Sequence, residues 1–307
     1  MLPFTLHQLR ILKVIAAEKN FTKAASILYI SQPALSKQIK LLEKNLNVLL
    51  INRDKNKISL TEDGEILVQY SERILGLCEE SCRALIDVQN GERGNLIVGA
   101  SQTIGTYLMP KVVALFAQNY PQINLNVQVN STRIIARNII NREIDIAVVG
   151  GEISDELTKN LKVEDFVIDE MSLIVPKTHP FAKQKIIKKE ELYCLNFITL
   201  NYSSTIKRFI DTILTQNQIE PKKLKIILQL NSIEAIKTAV SVGLGEAFVS
   251  SSAIQKEIQL DTIEVIKIDA VKIIRKLYII SRPDSYKSNA FRLFYKELSR
   301  LKNKMDN

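Results

Sequence analysis

Apolar residues recur at helical spacing along the first part of the chain, and they predict three helices. The first is predicted over residues 5–18, where one face is apolar: Leu6, Leu9, Leu12 and Ala16. Thr22 is the predicted cap of a second, short helix. Ser31 is the predicted cap of a third helix, because Pro33 follows in the first turn, where its missing N–H is not needed. The third helix buries one stripe: Leu35, Ile39, Leu42 and Leu46.

The opposite face of the third predicted helix is polar and basic. Two short helices joined by a tight turn, the second with such a face, predict a helix-turn-helix. The first residues of a recognition helix meet base edges in the major groove, so Gln32 can pair with adenine and Ser36 with several bases. Lys37 and Lys40 suit phosphates. The other predicted contacts here are two hydroxyl residues and two that suit a thymine methyl group: Thr22, Ser31, Pro33 and Ala34. A helical hairpin packed on another element is the alternative.

Two short apolar runs, 48–51 and 58–60, flank a polar segment and predict a β-hairpin with a basic tip. Arg53 and Lys55 on this tip are candidates for the minor groove or for phosphate, although an exposed loop has the same composition. Residues 1–61 carry ten Lys and Arg but three Asp and Glu. A compact basic module is typical of phosphate binding, and a solvated basic surface is the alternative.

A long helix is predicted over residues 62–90, with Thr61 as its cap and acidic residues in its first turn. Apolar side chains recur at intervals of seven along it, and those predicted to pair with a second copy of the chain are Leu67, Tyr70, Ile74 and Leu77. Two-fold DNA sites require a two-fold dimer, so the two predictions support each other. Cys78 and Cys82 lie four residues apart on this helix and are interpreted as small buried residues rather than as a redox pair.

From residue 95 onwards, short apolar strands alternate with helical segments. This pattern predicts an α/β domain with mostly parallel sheets in two lobes. The first lobe is expected to comprise about 95–166 and 270–307, because a strand near 272–280 and a final helix near 287–303 return to it. The second lobe is expected over about 167–269.

Hydroxyl and amide side chains follow several predicted strands and precede helices. Ligands of open α/β sheets bind beyond the carboxyl ends of the strands, where helix N-termini also favour anions. The candidate ligand contacts are Ser101, Gln102, Thr103, Asn130, Ser131, Thr132, Thr199, Ser203 and Thr205. Together they predict a pocket for an anion or a sugar-like metabolite, although each could simply cap a helix.

Other features exclude several classes of protein. The chain is 46% hydrophobic and 24% charged, as in ordinary soluble proteins, and no apolar run is long enough to cross a membrane. Three cysteines and two histidines give neither a disulfide scaffold nor a metal-ligand spacing. No catalytic triad or phosphate-binding loop is present, so neither an enzymatic activity nor a cofactor or metal is expected. No secretory or transit segment is recognised at the start, so the protein is expected to act where it is made.

Several motifs closely resemble the LysR-type transcriptional regulators. The most specific run from Phe21 to Glu43, through Ser31-Gln32-Pro33-Ala34-Leu35-Ser36, and continue at 50–53 and 60–64. Segments 99–110, 142–145 and 243–245 resemble the family's effector domain, so the resemblance extends over essentially the whole chain. It implies a winged helix-turn-helix domain over 1–61, a linker and dimerisation helix over 62–90, and a two-lobed, periplasmic-binding-protein-like α/β effector domain over 91–307.

The resemblance also implies a function. Such regulators bind double-stranded DNA at two-fold or pseudo-palindromic sites as homodimers or homotetramers, respond to a small-molecule effector between the lobes, and meet RNA polymerase; no membrane is involved. By position, Thr103 and Thr132 match effector contacts of the family. Gly150 falls where some aromatic-acid-sensing relatives carry an arginine, which argues against the same carboxylate clamp. A receptor that acts through a protein partner is the alternative from another class.

Within this family, segments 90–94 and 99–110 are similar to the regulators of RuBisCO operons, in particular to those encoded in the plastids of red-lineage algae. The composition is rich in Ile, Asn and Lys, as AT-rich codons favour. We therefore expect control of RuBisCO genes in the plastid stroma. The alternatives are a bacterial cytoplasmic member and a regulator of another metabolic operon.

Overall fold

The computed structural model describes residues 2–54, 57–90, 94–202 and 204–306. The chain divides into two compact units. The first comprises Met1–Asn90 together with Ile140–Glu143, and the second comprises Gly91–Ile139 and Ile144–Asn307. Within the described residues, no helix is both long enough and apolar enough to span a membrane.

The first unit begins with three helices: α1 (Leu6–Glu18), α2 (Phe21–Ile27) and α3 (Gln32–Leu46). Their apolar faces form one core, because the predicted stripe of α3 packs on α1 and α2. The fully buried members of this core include Ile11, Leu12, Ile15, Ala24, Leu35, Ile39 and Leu42.

The capping residues of α2 and α3 fix the turn between the helices. The Ser31 hydroxyl accepts a hydrogen bond of 3.3 Å from the Ala34 amide, as predicted. For α2 the predicted cap is wrong: Asn20 Oδ1 accepts the bond from the Lys23 amide at 3.0 Å, and Thr22 lies exposed inside the helix. Asn20 has the extended backbone that a cap requires, and asparagine caps helices at least as well as threonine.

Two antiparallel strands, β1 (Ile51–Asp54) and β2 (Lys57–Leu60), form the predicted hairpin. The buried carboxylate of Glu43 on α3 holds its entry, because Glu43 Oε1 accepts hydrogen bonds from the amides of Leu50 at 3.0 Å and Ile51 at 3.3 Å. The hairpin is therefore fastened to α3 at its base.

The hairpin leads directly into α4 (Glu62–Asn90), a helix of 29 residues. Thr61 caps α4 by accepting a hydrogen bond of 3.0 Å from the Gly64 amide, and its own hydroxyl donates one of 2.6 Å to the Leu49 carbonyl. A Cβ on Gly64 would lie 2.1 Å from the Leu50 carbonyl oxygen, so only glycine permits this close approach.

The second unit alternates strands and helices. Its strands are β3 (Gly94–Ser101), β4 (Ile123–Asn130), β5 (Ile146–Gly150), β6 (Lys162–Pro176), β7 (Ile186–Ile187), β8 (Asn196–Leu200), β9 (Lys225–Leu230), β10 (Ala247–Ser250), β11 (Ile263–Ile268) and β12 (Ile274–Ser281). Its helices are α5 (Met109–Asn119), α6 (Thr132–Ile140), α7 (Asp155–Thr158), α8 (Thr205–Gln216), α9 (Ile233–Ser241), α10 (Gln255–Gln259) and α11 (Asn289–Asp306). A π-helical turn over Ile104–Leu108 precedes α5.

The main sheet has the strand order β4-β3-β5-β12-β6-β11-β7, with β10 also paired to β6. β3 is parallel to β4 and β5, but β12 is antiparallel to β5 and β6, and β10 and β11 are antiparallel to β6. β8 and β9 form a separate parallel pair. The prediction of mostly parallel sheets is therefore wrong, because an apolar run marks a buried strand without revealing its direction.

The 15-residue strand β6 belongs to both lobes of the second unit. Its first part pairs with β12, and its last part pairs with β10 and β11. α11 packs on the core built around β3, where the rings of Phe294 and Phe116 meet edge to face at 5.2 Å between centroids. A second core surrounds Phe197 and Phe248, whose rings stack at 5.5 Å.

Candidate functional site

Helix α3 presents its polar face to solvent. Gln32, Lys37 and Lys40 are exposed, as are Ser31, Pro33 and Ala34, and Ser36 is half-buried. Among the described residues, none forms an ion pair with Lys37 or Lys40. An amide and two uncompensated ammonium groups on the first turns of one helix match the donors that read base edges and hold phosphates.

Contacts between α1 and α3 fix the orientation of this polar face. The buried amide of Gln8 on α1 donates a hydrogen bond of 3.3 Å to Gln38 Oε1 on α3. The side chain of Gln8 also accepts a bond of 3.0 Å from the Thr5 amide, which completes the cap of α1. Helix α3 is therefore held by polar contacts as well as by its apolar stripe.

Tyr29, in the turn between α2 and α3, was missed by sequence reasoning. Its side chain is 96% exposed, and its backbone has a positive φ of 55°. In sequence it stands between two aliphatic residues and so suggests a buried position. The only available signal is the turn itself, where a side chain in the left-handed region points away from the core.

The two hairpin residues predicted to contact DNA lie wholly or partly outside the described part of the chain. Arg53 lies in β1 opposite Ile58 in the register, but its side chain is outside the described part of the chain. Lys55 also lies outside the described residues. Their contacts with DNA remain predictions.

Helix α4 carries an exposed apolar stripe. Tyr70 is 57% and Leu77 52% exposed, and Ile66 before them and Leu85 after them have similar exposure. Ile74 is half-buried between them. Leu67 packs against the core of α1–α3, so it supports the start of the helix rather than the stripe.

In the second unit, a cavity of about 220 Å³ lies beyond the carboxyl ends of β3 and β5. Both lobes line it. The predicted residues that the structure brings together there are Ser101, Gln102, Thr103, Ser131, Thr132 and Thr205. Gly150, whose position the sequence analysis singled out, also lines it, as do Asn201 and Ser204 of the polar cluster that contains Thr205. The residues that sequence reasoning missed are Leu200, Ile206, Asn231 and Arg275.

The other predicted ligand contacts lie elsewhere. Asn130 is exposed and accepts a hydrogen bond of 2.8 Å from the Ser131 amide, which is a local capping role. Thr199 lines a separate, mostly apolar cavity together with Phe197 and Ile210. Ser203 lies outside the described residues.

Two hydroxyls hold the main chain of Gly150 at the cavity wall. Ser101 Oγ accepts a hydrogen bond of 3.2 Å from the Gly150 amide, and Thr132 Oγ1 donates one of 2.8 Å to the Gly150 carbonyl. Ser101 consequently retains a hydroxyl proton to donate to a ligand, whereas Thr132 retains acceptor capacity. Thr103 is 3% exposed, and its hydroxyl oxygen has no hydrogen-bond partner among the described residues.

Arg275 on β12 supplies a buried positive charge. Its Nε donates a hydrogen bond of 2.8 Å to Asp169 Oδ2, and its Nη2 lies 2.7 Å from the same oxygen. Ser250 donates a bond of 2.5 Å to Asp169 Oδ1. Sequence reasoning assigned the strand and overlooked this arginine, since a basic residue in an edge or half-buried strand normally points to solvent.

A polar contact joins the two lobes near the cavity. Tyr107, in the π-helical turn, donates a hydrogen bond of 2.7 Å to Glu234 on α9. The buried ammonium of Lys237 lies 3.0 Å from Glu234, 2.9 Å from Glu257, and 4.9 Å from the centre of the Tyr107 ring. Burial first and the bond to Glu234 second raise the pKa of Tyr107.

His7, Cys78 and Cys82 line one cavity between α1 and α4. Cys78 is half-buried, and Cys82 and Cys194 are exposed, all as free thiols. In the described ranges, no group of three or more His, Cys, Asp and Glu side chains is arranged to hold a metal ion.

Comparisons with known proteins identify both units. Residues 6–65 match the bacterial regulatory helix-turn-helix protein family of the LysR type, and residues 89–302 match the LysR substrate binding domain. A relative from Phaeodactylum tricornutum is 72% identical over the full length of both chains. One from the bacterium Trichormus variabilis is 50% identical over 97% of this chain and 88% of its own. Both are called "Probable RuBisCO transcriptional regulator".

Solved structures share the fold. A full-length OxyR variant from Pseudomonas aeruginosa is 24% identical, with a TM-score of 0.71 over 96% of this chain and 94% of its own. Full-length CbnR in complex with its target DNA is 19% identical, with a TM-score of 0.69 over 97% and 99%. The described fold, the two family matches and the full-length relatives lead to one conclusion: the chain belongs to the LysR family of DNA-binding transcriptional regulators, which are not enzymes.

Proposed function

We propose that this protein regulates the transcription of RuBisCO genes. The observation that carries the target is the name shared by relatives at 50–72% identity over nearly the whole chain. Several of these relatives come from algae, which supports action in the plastid stroma.

DNA recognition is assigned to α3 and the hairpin. Gln32 and Ser36 read base edges, and Lys37 and Lys40 neutralise phosphates, because these side chains share the exposed face of α3. Arg53 and Lys55 of the hairpin reach the flanking backbone or minor groove. Thr22, Ser31, Pro33 and Ala34 complete the contact surface.

Two copies of the chain bind a two-fold site through the exposed stripe of α4. A monomeric soluble protein seldom exposes a continuous row of large apolar side chains. On α4, Tyr70 and Leu77 are each over half exposed. The dimer, or a tetramer built from it, acts on RNA polymerase when a small molecule occupies the cavity beside Thr103 and Thr132.

The test is binding of the full chain to the DNA upstream of the RuBisCO large-subunit gene, against a shuffled duplex, at two salt concentrations. Specific binding that weakens steeply with salt supports the proposal, since phosphate neutralisation releases counterions. The test variant is K40A on α3, and the matched control is K222A, at an exposed lysine of the second unit. We expect K40A alone to weaken binding.

Two other outcomes count against parts of this proposal. Salt-dependent binding without sequence preference would retain the regulator and remove the RuBisCO target. Absence of binding to either duplex would favour a receptor that acts through a protein partner.

A further inference from the structure

The cavity beside Gly150 is lined by Arg275, whose guanidinium pairs with Asp169 on one edge and has no acceptor among the described residues at Nη1. Nε and Nη2 of Arg275 face Asp169, as described above. Nη1 has no hydrogen-bond acceptor among the described residues, and Arg275 lines the cavity. A guanidinium has five N–H donors in a planar fork, so an edge remains for a second anion.

Gly150 gives that edge access to the cavity. A Cβ built on Gly150 would lie 3.4 Å from the Arg275 Cζ, 3.5 Å from Nη1, and 2.9 Å from the Leu277 Cδ2. Any larger residue at this position would therefore cover the guanidinium. The hydrogen bonds that the Gly150 backbone forms with Ser101 and Thr132 hold it against the cavity wall.

Other donors face the same space. Thr103 contributes a buried hydroxyl that lacks a partner among the described residues, and Ser101 retains its hydroxyl proton. The helices α6 and α8 begin at Thr132 and Thr205, both of which line the cavity, and the N-terminus of a helix favours negative charge. Asp169 is the acidic side chain that faces Arg275, and Ser250 also donates to it.

We propose that Arg275 is the ligand-binding cation of this cavity, and that the ligand carries a carboxylate or phosphate oxyanion held by Arg275 Nη1 and the Thr103 hydroxyl. The inference rests on the proposed function, which assigns the cavity to a small-molecule effector. It goes beyond that function by naming the ligand's chemical class and the residue that selects it.

The pairing with Asp169 has a consequence for selectivity. Asp169 already balances one charge of the guanidinium, so a bound anion must gain its stabilisation from directed hydrogen bonds rather than from net charge alone. An oxyanion offers acceptors to Nη1, Thr103 and Ser101 together. A neutral polyol of the same size offers weaker acceptors, so we expect it to bind less tightly.

The test is a calorimetric titration of the full-length protein with inorganic phosphate, with acetate and, as a neutral probe, with glycerol. The test variant is R275Q/D169N, which removes both charges together and so avoids a buried unpaired aspartate. T103V is a second variant that removes the hydroxyl and keeps the side-chain shape. K276Q, which removes an exposed charge from the next position of β12, and K222Q, which removes an exposed charge elsewhere in the second unit, are the matched controls.

We expect phosphate or acetate to bind the wild-type chain more tightly than glycerol, and the affinity to fall about tenfold or more in R275Q/D169N. T103V should weaken binding by a smaller factor, and K276Q and K222Q should leave it unchanged. Comparison of phosphate with acetate shows which oxyanion the site prefers. Circular dichroism and the thermal midpoint check that each variant folds.

Equal affinity of R275Q/D169N and wild type for the anions would overturn the inference, as would tighter binding of glycerol or no anion binding at all. Because the titration contains no DNA, its result is separate from the test of the proposed function. Loss of DNA binding with retained Arg275-dependent anion binding would reject that function and leave the anion site in place.

Discussion

The hydroxyl of Tyr107 lies 2.7 Å from Glu234 and donates a hydrogen bond that joins the π-helical turn of one lobe to α9 of the other. The turn follows directly after Thr103 at the cavity wall. Burial alone would raise the pKa of Glu234, but hydrogen bonds from Tyr107 and Lys237 outweigh it and lower the pKa. The contact between the lobes is therefore a phenol paired with an ionised carboxylate.

This pairing predicts the titration of Tyr107. The pKa of Tyr107 lies above the ordinary value near 10, so its stabilising contribution is complete below that value and is lost as the pH rises through the folded-state pKa. The difference in tyrosinate absorbance between wild type and Y107F should appear well above pH 10. A difference signal with a midpoint near pH 10 would contradict the contact, and Y29F, at an exposed tyrosine, is the control.

Substitution of Gln32 should weaken binding to the cognate sequence and relax the preference at one base position. Gln32 is exposed in the first turn of α3, where a bidentate contact to a base discriminates by about 1–3 kcal/mol. Q32A should therefore lose that much affinity for the cognate duplex and accept other bases at one position. Selection from a library of operator variants measures this, and an unchanged preference would mean that α3 is not placed in the major groove as proposed.

Lys40 should behave in the opposite way. A lysine that holds phosphate contributes equally to every sequence, so K40A should weaken binding to cognate and shuffled DNA alike and reduce the slope of log affinity against log salt by about one. Fluorescence anisotropy over a salt series measures both quantities. A loss confined to the cognate duplex would assign Lys40 to a base instead.

The stripe on α4 predicts an effect on assembly. A charge at Leu77, which is over half exposed in the single chain, should leave the fold intact and disrupt pairing through this face. Sedimentation equilibrium should show L77D as a monomer at concentrations at which the wild type is dimeric. E65Q, at an exposed residue near the start of the helix, is the matched control. Dimers of L77D as stable as the wild type would place the interface elsewhere.

Glu43 predicts an effect on the stability of the first unit. Its buried carboxylate accepts the amides of Leu50 and Ile51, and removal of a buried acceptor leaves both donors unpaired, at about 1–3 kcal/mol. E43A should lower the free energy of unfolding by this order and weaken DNA binding through the hairpin. E43Q retains an acceptor oxygen and should recover much of the loss. Equal stability of all three proteins in urea would contradict this role.

The sequence predicts the N-terminal unit well, because local signals decide its structure. Ser31, Pro33 and the apolar stripe of α3 all indicate one helix with one buried face, and the structure places its polar residues outward as expected. Thr22 shows the limit of such signals: Asn20 also suits a cap, and its extended backbone decides between them.

The cavity is predicted less completely because its wall is assembled from distant segments. Hydroxyls before helices are visible in sequence, so Ser101, Thr103 and Thr132 were found. Arg275 lies on a strand far along the chain, and only the antiparallel pairing of β12 with β5 brings it to Gly150. Neither the direction of a buried strand nor the face of Thr199 can be derived from apolar periodicity.

The junction of the hairpin with α4 has a mechanical consequence. Thr61 both caps the helix and donates to the Leu49 carbonyl, and the missing side chain of Gly64 lets the Leu50 carbonyl seat against the first turn. We therefore expect the hairpin and the first turn of α4 to move together as one rigid element. In the proposed dimer, we expect a rotation of α4 to displace the hairpin along the bound DNA, so that the angle between the two copies determines how far the duplex bends.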